Sequence, residues 1–441
     1  MPQLRLKLLL FLLIASAQAA AETTAIVNVN VIPMTSEVVL LQQTVVVEDG
    51  MITAIGNVGD VAVPGKAQVV DGTDRFLMPG FTEMHGHVTG TGSREIERLF
   101  SLFLANGVTT VRGMLGRPSH LALRADIESG DVLGPRLITS GPSLNGISVH
   151  GADDGARQVR EQHAAGYDFI KIHPGLTAPE FNAIADQARA LDMPFAGHVP
   201  VSVGLEGVLA KGMATIDHLD GYMAALLPAN VDPSGGFGGF FDVMLADDVD
   251  RAGLGRFVQA TIEAGVANVP TETLFEQLVS DTPAADIASR PEMQFVDPAT
   301  VARWVKAKEE AISERGFNAD VARTAIAIRR SLIGELHQKG GLLLLGSDAP
   351  QVFNVPGFSL HRELVLMVEA GLTPFEALQM GTTQPARFFG LNTGTVEIGK
   401  IADLTLLNAN PLLNIANSRR VHGVLVRGRW ARAADLLALS R

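Results

Sequence analysis

From Ala25 to Gly80 the chain alternates short Val-, Ile- and Thr-rich runs with turn signals, in AIVNVNVIPM, TVVVEDGMITAIG and QVVDGTDRFLMPG. Alternating runs broken by Asp-Gly and Gly-Asn predict hairpin strands. The same texture returns from Thr393 to Ala431 in TGTVEIGKIADLTLLNANP and VHGVLVRGRWA. Together the two ends predict one small β-sandwich domain, built from residues 22–78 and 392–435 around an inserted middle.

That middle, residues 79–391, changes period. FTEMH, VTTVR, RLITSG, DFIKIH, PFAGH, MATIDH, VANVPT and LLLLGSD are short apolar or β-branched runs, most of them preceded by a helix-like stretch such as EIERLFSLFLANG or PEFNAIADQARALDM. Eight such units predict an α/β fold of the (β/α)8 TIM-barrel type. The competing architecture is a doubly wound open sheet, but no glycine-rich nucleotide fingerprint follows the first strand to favour it. The intervals Gly221–Ala264 and Glu272–Gly341 are too long for simple connections, and the second carries helical patterns at 299–315 and 320–339. Both follow expected barrel strands, so both are expected at the carboxyl mouth, where substrates bind.

The first residues follow a different pattern. Arg5 and Lys7 precede an apolar run from Leu8 to Ala15 and then small residues, the three-part form of a secretory signal peptide over residues 1–21. The run is too short to span a bilayer as a mature helix. A periplasmic or secreted protein is the expectation, with no membrane attachment after cleavage.

Composition narrows the chemistry. Cysteine is absent, which removes disulfides, thiol nucleophiles and Cys-based zinc sites. Lys and Arg number 35 against 47 Asp and Glu, a formal charge of -12, so nucleic acid is not an expected partner. A small-molecule substrate is expected instead, and an acidic chain of this size has surface for a homo-oligomer.

The remaining metal-type residues fall at strand ends. His85 and His87 close the first barrel run two residues apart, on one strand face. His198 ends PFAGH, His218 ends MATIDH and Asp348 ends LLLLGSD. Taken singly, each histidine fits a hydrogen-bonded core or surface position better than a metal ligand; a barrel would converge all of them. Lys171 lies inside the apolar run DFIKIH, where a bare ammonium is expensive to desolvate. A lysine amine of lowered pKa can react with carbon dioxide, and the carbamate so formed is a carboxylate able to bridge two cations. Imidazole, carboxylate and carbamate suit zinc, with manganese or cobalt as substitutes. His173 shares the face of Lys171 and is a candidate oxyanion donor. Asp220 is a candidate acceptor orienting a ligand. His150, Tyr222 and Arg112 are candidate substrate contacts, the last two for a carboxylate. His120, His163, His337 and His422 are expected to be solvated, and His361 is left open.

The joint pattern PGFTEMHGH, GVTTVR, DFIKIH, GHV, DHL, GSDAP and TGTVEIGKIADLTLL resembles the metal-dependent amidohydrolase superfamily. Within it, the chain is similar to the imidazolonepropionase-like branch that includes Xaa-Pro dipeptidases. The resemblance implies two divalent metal ions: one held by His85, His87 and Asp348, a second by His198 and His218, with carbamylated Lys171 between them. It implies hydrolysis of amide-type C–N bonds by a metal-bridging hydroxide, with Asp348 moving the proton. N-acyl amino acids, dipeptides or a cyclic amide are the expected substrates. Lactone, ester or phosphotriester hydrolysis on the same site, or a binding protein retaining the fold, are the alternatives. Lys171 counts against a one-metal deaminase. One departure is Gly113, where relatives commonly carry an acidic residue after the arginine.

Overall fold

A computed structural model describes residues 23–228, 230–231, 240–314 and 316–440. The expected signal peptide, residues 1–21, lies outside the described residues, as does most of the glycine-rich stretch before Phe240. Among the described residues no helix is long and apolar enough to cross a membrane.

The β-branched runs of the first segment form β1 (Thr24–Val31), β2 (Leu40–Glu48), β3 (Met51–Asn57), β4 (Gln68–Asp71) and β5 (Phe76–Pro79). Seven strands follow in the middle: β6 (Phe81–Gly86), β7 (Val108–Gly113), β8 (Arg136–Thr139), β9 (Ile170–Ile172), β10 (Phe195–Gly197), β11 (Thr215–Asp217) and β12 (Ala267–Val269). The last segment returns as β13 (Leu404–Leu407), β14 (Val421–Val426) and β15 (Arg429–Arg432).

The two ends of the chain do pair with each other, but as one sheet. Its order is β15-β14-β13-β5-β1-β2-β3, with β4 alongside β1, so the expected sandwich takes the form of a single eight-stranded sheet. The join is β13 antiparallel to β5, which sets Leu404 opposite Pro79 and Leu407 opposite Phe76. Asp49-Gly50 turns β2 into β3 with φ of 51° and 74°, and Arg427-Gly428 turns β14 into β15 with φ of 48° and 81°. Two left-handed residues in a row match the twist of the flanking strands, and this is the role expected of the Asp-Gly signal. One face of the sheet buries Ile26, Val29, Val45, Val47, Leu77, Leu404 and Leu425.

In the middle, β6-β7-β8 make one parallel arc and β9-β10-β11-β12 a second. Parallel bridges from Ser140 to Phe169 and from Leu144 to Ile172 link the arcs. The run LLLLGSD, expected as the eighth strand, is not a regular strand. It touches both arcs, through Leu343 beside Asn268 and Ala349 beside Gly86. Its ladder is interrupted where two of its donors, the Ser347 and Leu345 N–H groups, turn to other partners. The buried Glu83 carboxylate accepts from the Ser347 N–H at 2.7 Å and from the His85 N–H at 3.1 Å. The Leu345 N–H donates to the Met380 carbonyl at 3.0 Å.

Helices cover the parallel strands in the order the periodicity predicts. Ala178–Ala190 begins at a Thr177/Glu180 capping box and buries Phe181, Ile184, Ala185 and Ala188, a stripe of 3.6-residue period within the helix-like stretch PEFNAIADQARALDM. The described parts of the two long intervals are largely helical, and the second contains Pro298–Ser313 and Ala319–Gln338 as expected.

His361, on the helix Phe358–Glu369, lies at the junction of these parts and is 4% exposed. Its Nε2 lies 3.0 Å from the Asn106 carbonyl and its Nδ1 3.0 Å from Ser418 Oγ. A carbonyl only accepts, so Nε2 carries the proton and Nδ1 accepts from the serine; a second proton would cost that bond inside an apolar junction. Burial therefore pulls its pKa down from 6.5 to about 4, against the opposing pull of the Asn106 carbonyl. Between those values the unfolded chain binds the proton and the folded chain does not, so stability is lost as pH falls from 6.5 towards 4. At 1.36 kcal/mol per unit the loss is about 3 kcal/mol. Urea denaturation of metal-free protein at pH 7 and pH 4 should show wild type losing about 3 kcal/mol more than His361→Gln; parallel losses would refute this role.

Candidate metal centre

Strand alternation places Glu83 and His85 on one face of β6, and His87 continues that face just past its end. His87 Nε2 lies 2.6 Å from Asp348 Oδ1, and His85 Nε2 lies 3.6 Å from the same oxygen. One donor atom from each of these three residues falls within 4.8 Å of the others, a spacing a single cation can bridge. Burial pushes the Asp348 carboxyl up, but the His85 and His87 imidazoles and the Lys171 ammonium outweigh it and hold the group well below the usual carboxylate range.

The other imidazoles close around this group. His218 lies 4.5 Å from His85, ring centre to ring centre, and 4.6 Å from His198; His173 lies 5.2 Å from His198. Lys171, in the middle of β9, has no exposed surface, and its Nζ has no hydrogen-bond partner among the described residues. The nearest carboxylate oxygen in an ion pair with it is Asp217 Oδ2, at 3.8 Å. Burial draws the amine down to about 8, although Asp217 and Asp348 favour its charged form. His173 is drawn to about 3 by burial and by Lys171, so its ring is neutral.

The donors fit divalent cations on a further observation. In two of the imidazoles, His198 and His218, Nδ1 is already hydrogen-bonded by the protein, and in a third, His85, it lies beside a carboxylate oxygen. Asp217 Oδ2 lies 3.0 Å from His85 Nδ1, Asp220 Oδ2 lies 3.1 Å from His198 Nδ1, and Thr271 Oγ1 lies 2.8 Å from His218 Nδ1. Such support fixes ring orientation and leaves the opposite nitrogen for a metal. The backbone is bent to the same end: His218, Thr271 and Asp348 adopt φ of 65°, 50° and 60°. Left-handed backbone at non-glycine residues costs energy and gathers where geometry is needed for function.

The structure thus brings together His85, His87, Lys171, His173, His198, His218 and Asp348, and gives three expected substrate contacts, Arg112, Tyr222 and His150, partners elsewhere in the protein. Arg112 is 1% exposed, and its guanidinium donates to the Met84 carbonyl, Thr215 Oγ1 and Asp217 Oδ1 at 2.5, 3.0 and 3.0 Å. It neutralises an internal carboxylate. Tyr222 is 2% exposed with its hydroxyl 2.7 Å from Thr261 Oγ1, and burial raises its pKa to about 12. His150 is exposed and its backbone N–H donates to Asp154 Oδ2 in the first turn of the helix Ala152–Ala165; no hydrogen bond among the described residues joins it to the imidazoles. His120, expected in solvent, is 1% exposed because its helix packs over β8, with its Nδ1 3.4 Å from Thr139 Oγ1.

Residues that the sequence reading passed over support the cluster. Asp217 and Glu83 are charged residues inside apolar strand runs, the signal that singled out Lys171, and applying it evenly would have found them. Glu83 is pushed up to about 7 by burial, against its Ser347 hydrogen bonds. Phe241 stacks on His218 and His198 with ring centres 4.9 and 5.9 Å apart, and only the fold could place it there.

Residues 76–431 match the model of the amidohydrolase family, and the chain belongs to that family. As a member it is a hydrolase acting on carbon–nitrogen bonds. The enamidase of Eubacterium barkeri is 23% identical over 394 residues, which cover 86% of this chain and 84% of the enamidase. Among solved structures, a bottromycin amidohydrolase aligns with a TM-score of 0.69 at 23% identity, covering 95% of this chain and 88% of its own. A Xaa-Pro dipeptidase with methionine bound in its active site aligns with a TM-score of 0.67 at 19% identity, covering 93% and 100%.

Asp217→Ala strands the Arg112 guanidinium without its carboxylate in the interior. The expected cost is about 3–5 kcal/mol of stability in metal-free protein. Chemical denaturation checks it, and a loss under about 1 kcal/mol would show that the pair does not carry this burden.

Proposed function

We propose that this member of the amidohydrolase family is an exported hydrolase with two divalent cations, cleaving amide-type bonds in N-acyl amino acids, dipeptides or a cyclic amide. The observation that carries the reading is the fully buried Lys171 amine, without a hydrogen-bond partner among the described residues, beside the imidazole cluster and Asp348. In the same proposal the two parallel arcs and residues 342–349 form one closed (β/α)8 barrel, with these side chains at its carboxyl end. Export rests on the leader-like residues 1–21.

His85, His87 and Asp348 would hold one cation and His198 with His218 the other, with Lys171 as its carbamate serving both. Zinc suits this set of nitrogen and oxygen donors. Bound there, the cations supply Lewis acidity towards a carbonyl oxygen and a nucleophilic water at neutral pH.

The protein's own groups complete the chemistry. Asp348 is ionised at neutral pH, so its Oδ2 can accept a proton from the attacking water and pass it to the leaving nitrogen. His173, neutral beside His198, can donate an N–H to the oxygen that gains charge as the carbonyl is attacked. Phe241 shields one side of His198 and His218 from water, which strengthens every electrostatic contact beneath it. The printed names of the matched amidohydrolase, enamidase and dipeptidase support the choice of amide-type bonds.

Zinc-loaded protein assayed against N-acyl amino acids, Xaa-Pro dipeptides, lactones and aryl esters should hydrolyse an amide-type substrate and lose that activity on chelation. Asp348→Asn is expected to lower turnover by roughly 10²–10⁴-fold or more, and His85→Ala to abolish it. Wild-type turnover in either variant would remove the mechanism. Lys171→Ala should lose bound metal and activity together, with part of both restored by added short carboxylic acids that take the place of the carbamate.

A further inference from the structure

Arg329 lies on the buried stripe of the helix Ala319–Gln338, between Ala325, Ile328 and Leu332, and is 4% exposed. A guanidinium buried in an apolar row must satisfy its donors locally. Its Nε donates to Glu272 Oε2 at 2.8 Å, Nη1 to the His218 carbonyl at 2.8 Å and Nη2 to the Pro270 carbonyl at 3.2 Å. Its face lies over the Phe275 ring, 4.1 Å from the centre.

These acceptors belong to two different strand ends. His218 directly follows β11, and Pro270 directly follows β12. Thr271, the next residue, places its Oγ1 2.8 Å from His218 Nδ1, and both His218 and Thr271 have left-handed backbones. The imidazole and the hydroxyl that orients it therefore come from separate strands, and the planar fork of Arg329 ties the two together. Beyond them, Glu363 accepts from the Glu272 and Thr273 N–H groups at 2.9 and 2.7 Å and anchors the far side of the same turn.

We propose that Arg329 is a positioning residue for the His198/His218 half of the metal centre, holding His218 in register with Thr271 from a helix of the long interval after β12. The proposal rests on the two-cation reading given above. Lysine cannot replace the arginine, since one ammonium cannot span three acceptors set in a plane. The neighbouring Arg330 pairs instead with Glu276 and Glu369, at 2.7 and 2.9 Å, and touches neither strand end in those pairs.

The test compares wild type with Arg329→Met, Arg329→Lys, Thr271→Val and, as a control, Arg330→Met. Each protein is loaded with zinc and dialysed against a graded series of zinc buffers. Bound metal per chain is read by elemental analysis, and folding by circular dichroism. Wild type and Arg330→Met are expected to hold two ions. The Arg329 and Thr271 variants should hold the first ion at wild-type affinity and the second about 10–100-fold more weakly. Wild type that never holds more than one ion overturns the two-cation reading and this proposal with it. Two ions held as tightly by folded Arg329→Met and Thr271→Val as by wild type overturn the positioning role alone, as does an equal loss of both ions. If Arg329→Met does not fold, Arg329→Lys and Thr271→Val decide by the same criteria.

Discussion

Asp217 has no exposed surface, yet it meets Arg112 on one side and His85 and Lys171 on the other, with Thr215 Oγ1 2.8 Å from its Oδ1. An unpaired carboxylate so placed would cost more than most single interactions return, so its partners have little freedom. Arg112 must lie beneath it, and Lys171 and His85 must lie beside it. The positions of β7, β9, β11 and β6 relative to one another are thus coupled through one side chain. The candidate metal centre is assembled above that layer.

The same requirement recurs outward. His85, His198 and His218 each have their outward nitrogen beside a protein oxygen, from Asp217, Asp220 and Thr271. The strand ends around the cluster are held in turn, β6 and residue 347 by Glu83 and the ends of β11 and β12 by Arg329. Two of these ties also explain irregularity in the fold. Glu83 diverts the Ser347 N–H from a strand ladder along residues 342–349, and the left-handed residues after β11 and β12 are those the imidazole and hydroxyl need. Regular pairing gives way where site geometry competes with it.

Charge in an apolar run proved a better guide to the site than suitability for a ligand. Lys171 was singled out because an ammonium inside a strand needs a reason, and it lies among the imidazoles. Arg112 and Tyr222 were singled out because a guanidinium and a phenol suit a carboxylate, and both are taken up by internal partners. The first argument concerns the cost of burial, which local sequence sets. The second concerns which way a side chain faces and what else competes for it, which local sequence does not set.

By itself the sequence determined the order of elements, the pairing of the chain's two ends, the Asp-Gly hairpin, the strand-end histidines and aspartate, and the lysine within a strand. Those features depend on residues a few positions apart, through strand alternation, turn conformation and helical period. Tertiary structure decided that the terminal strands make one sheet, that LLLLGSD is irregular, and that Arg329 and Thr271, 58 residues apart, share the support of His218. These outcomes turn on contacts between distant segments, where a buried donor takes whichever acceptor the packed fold brings within reach.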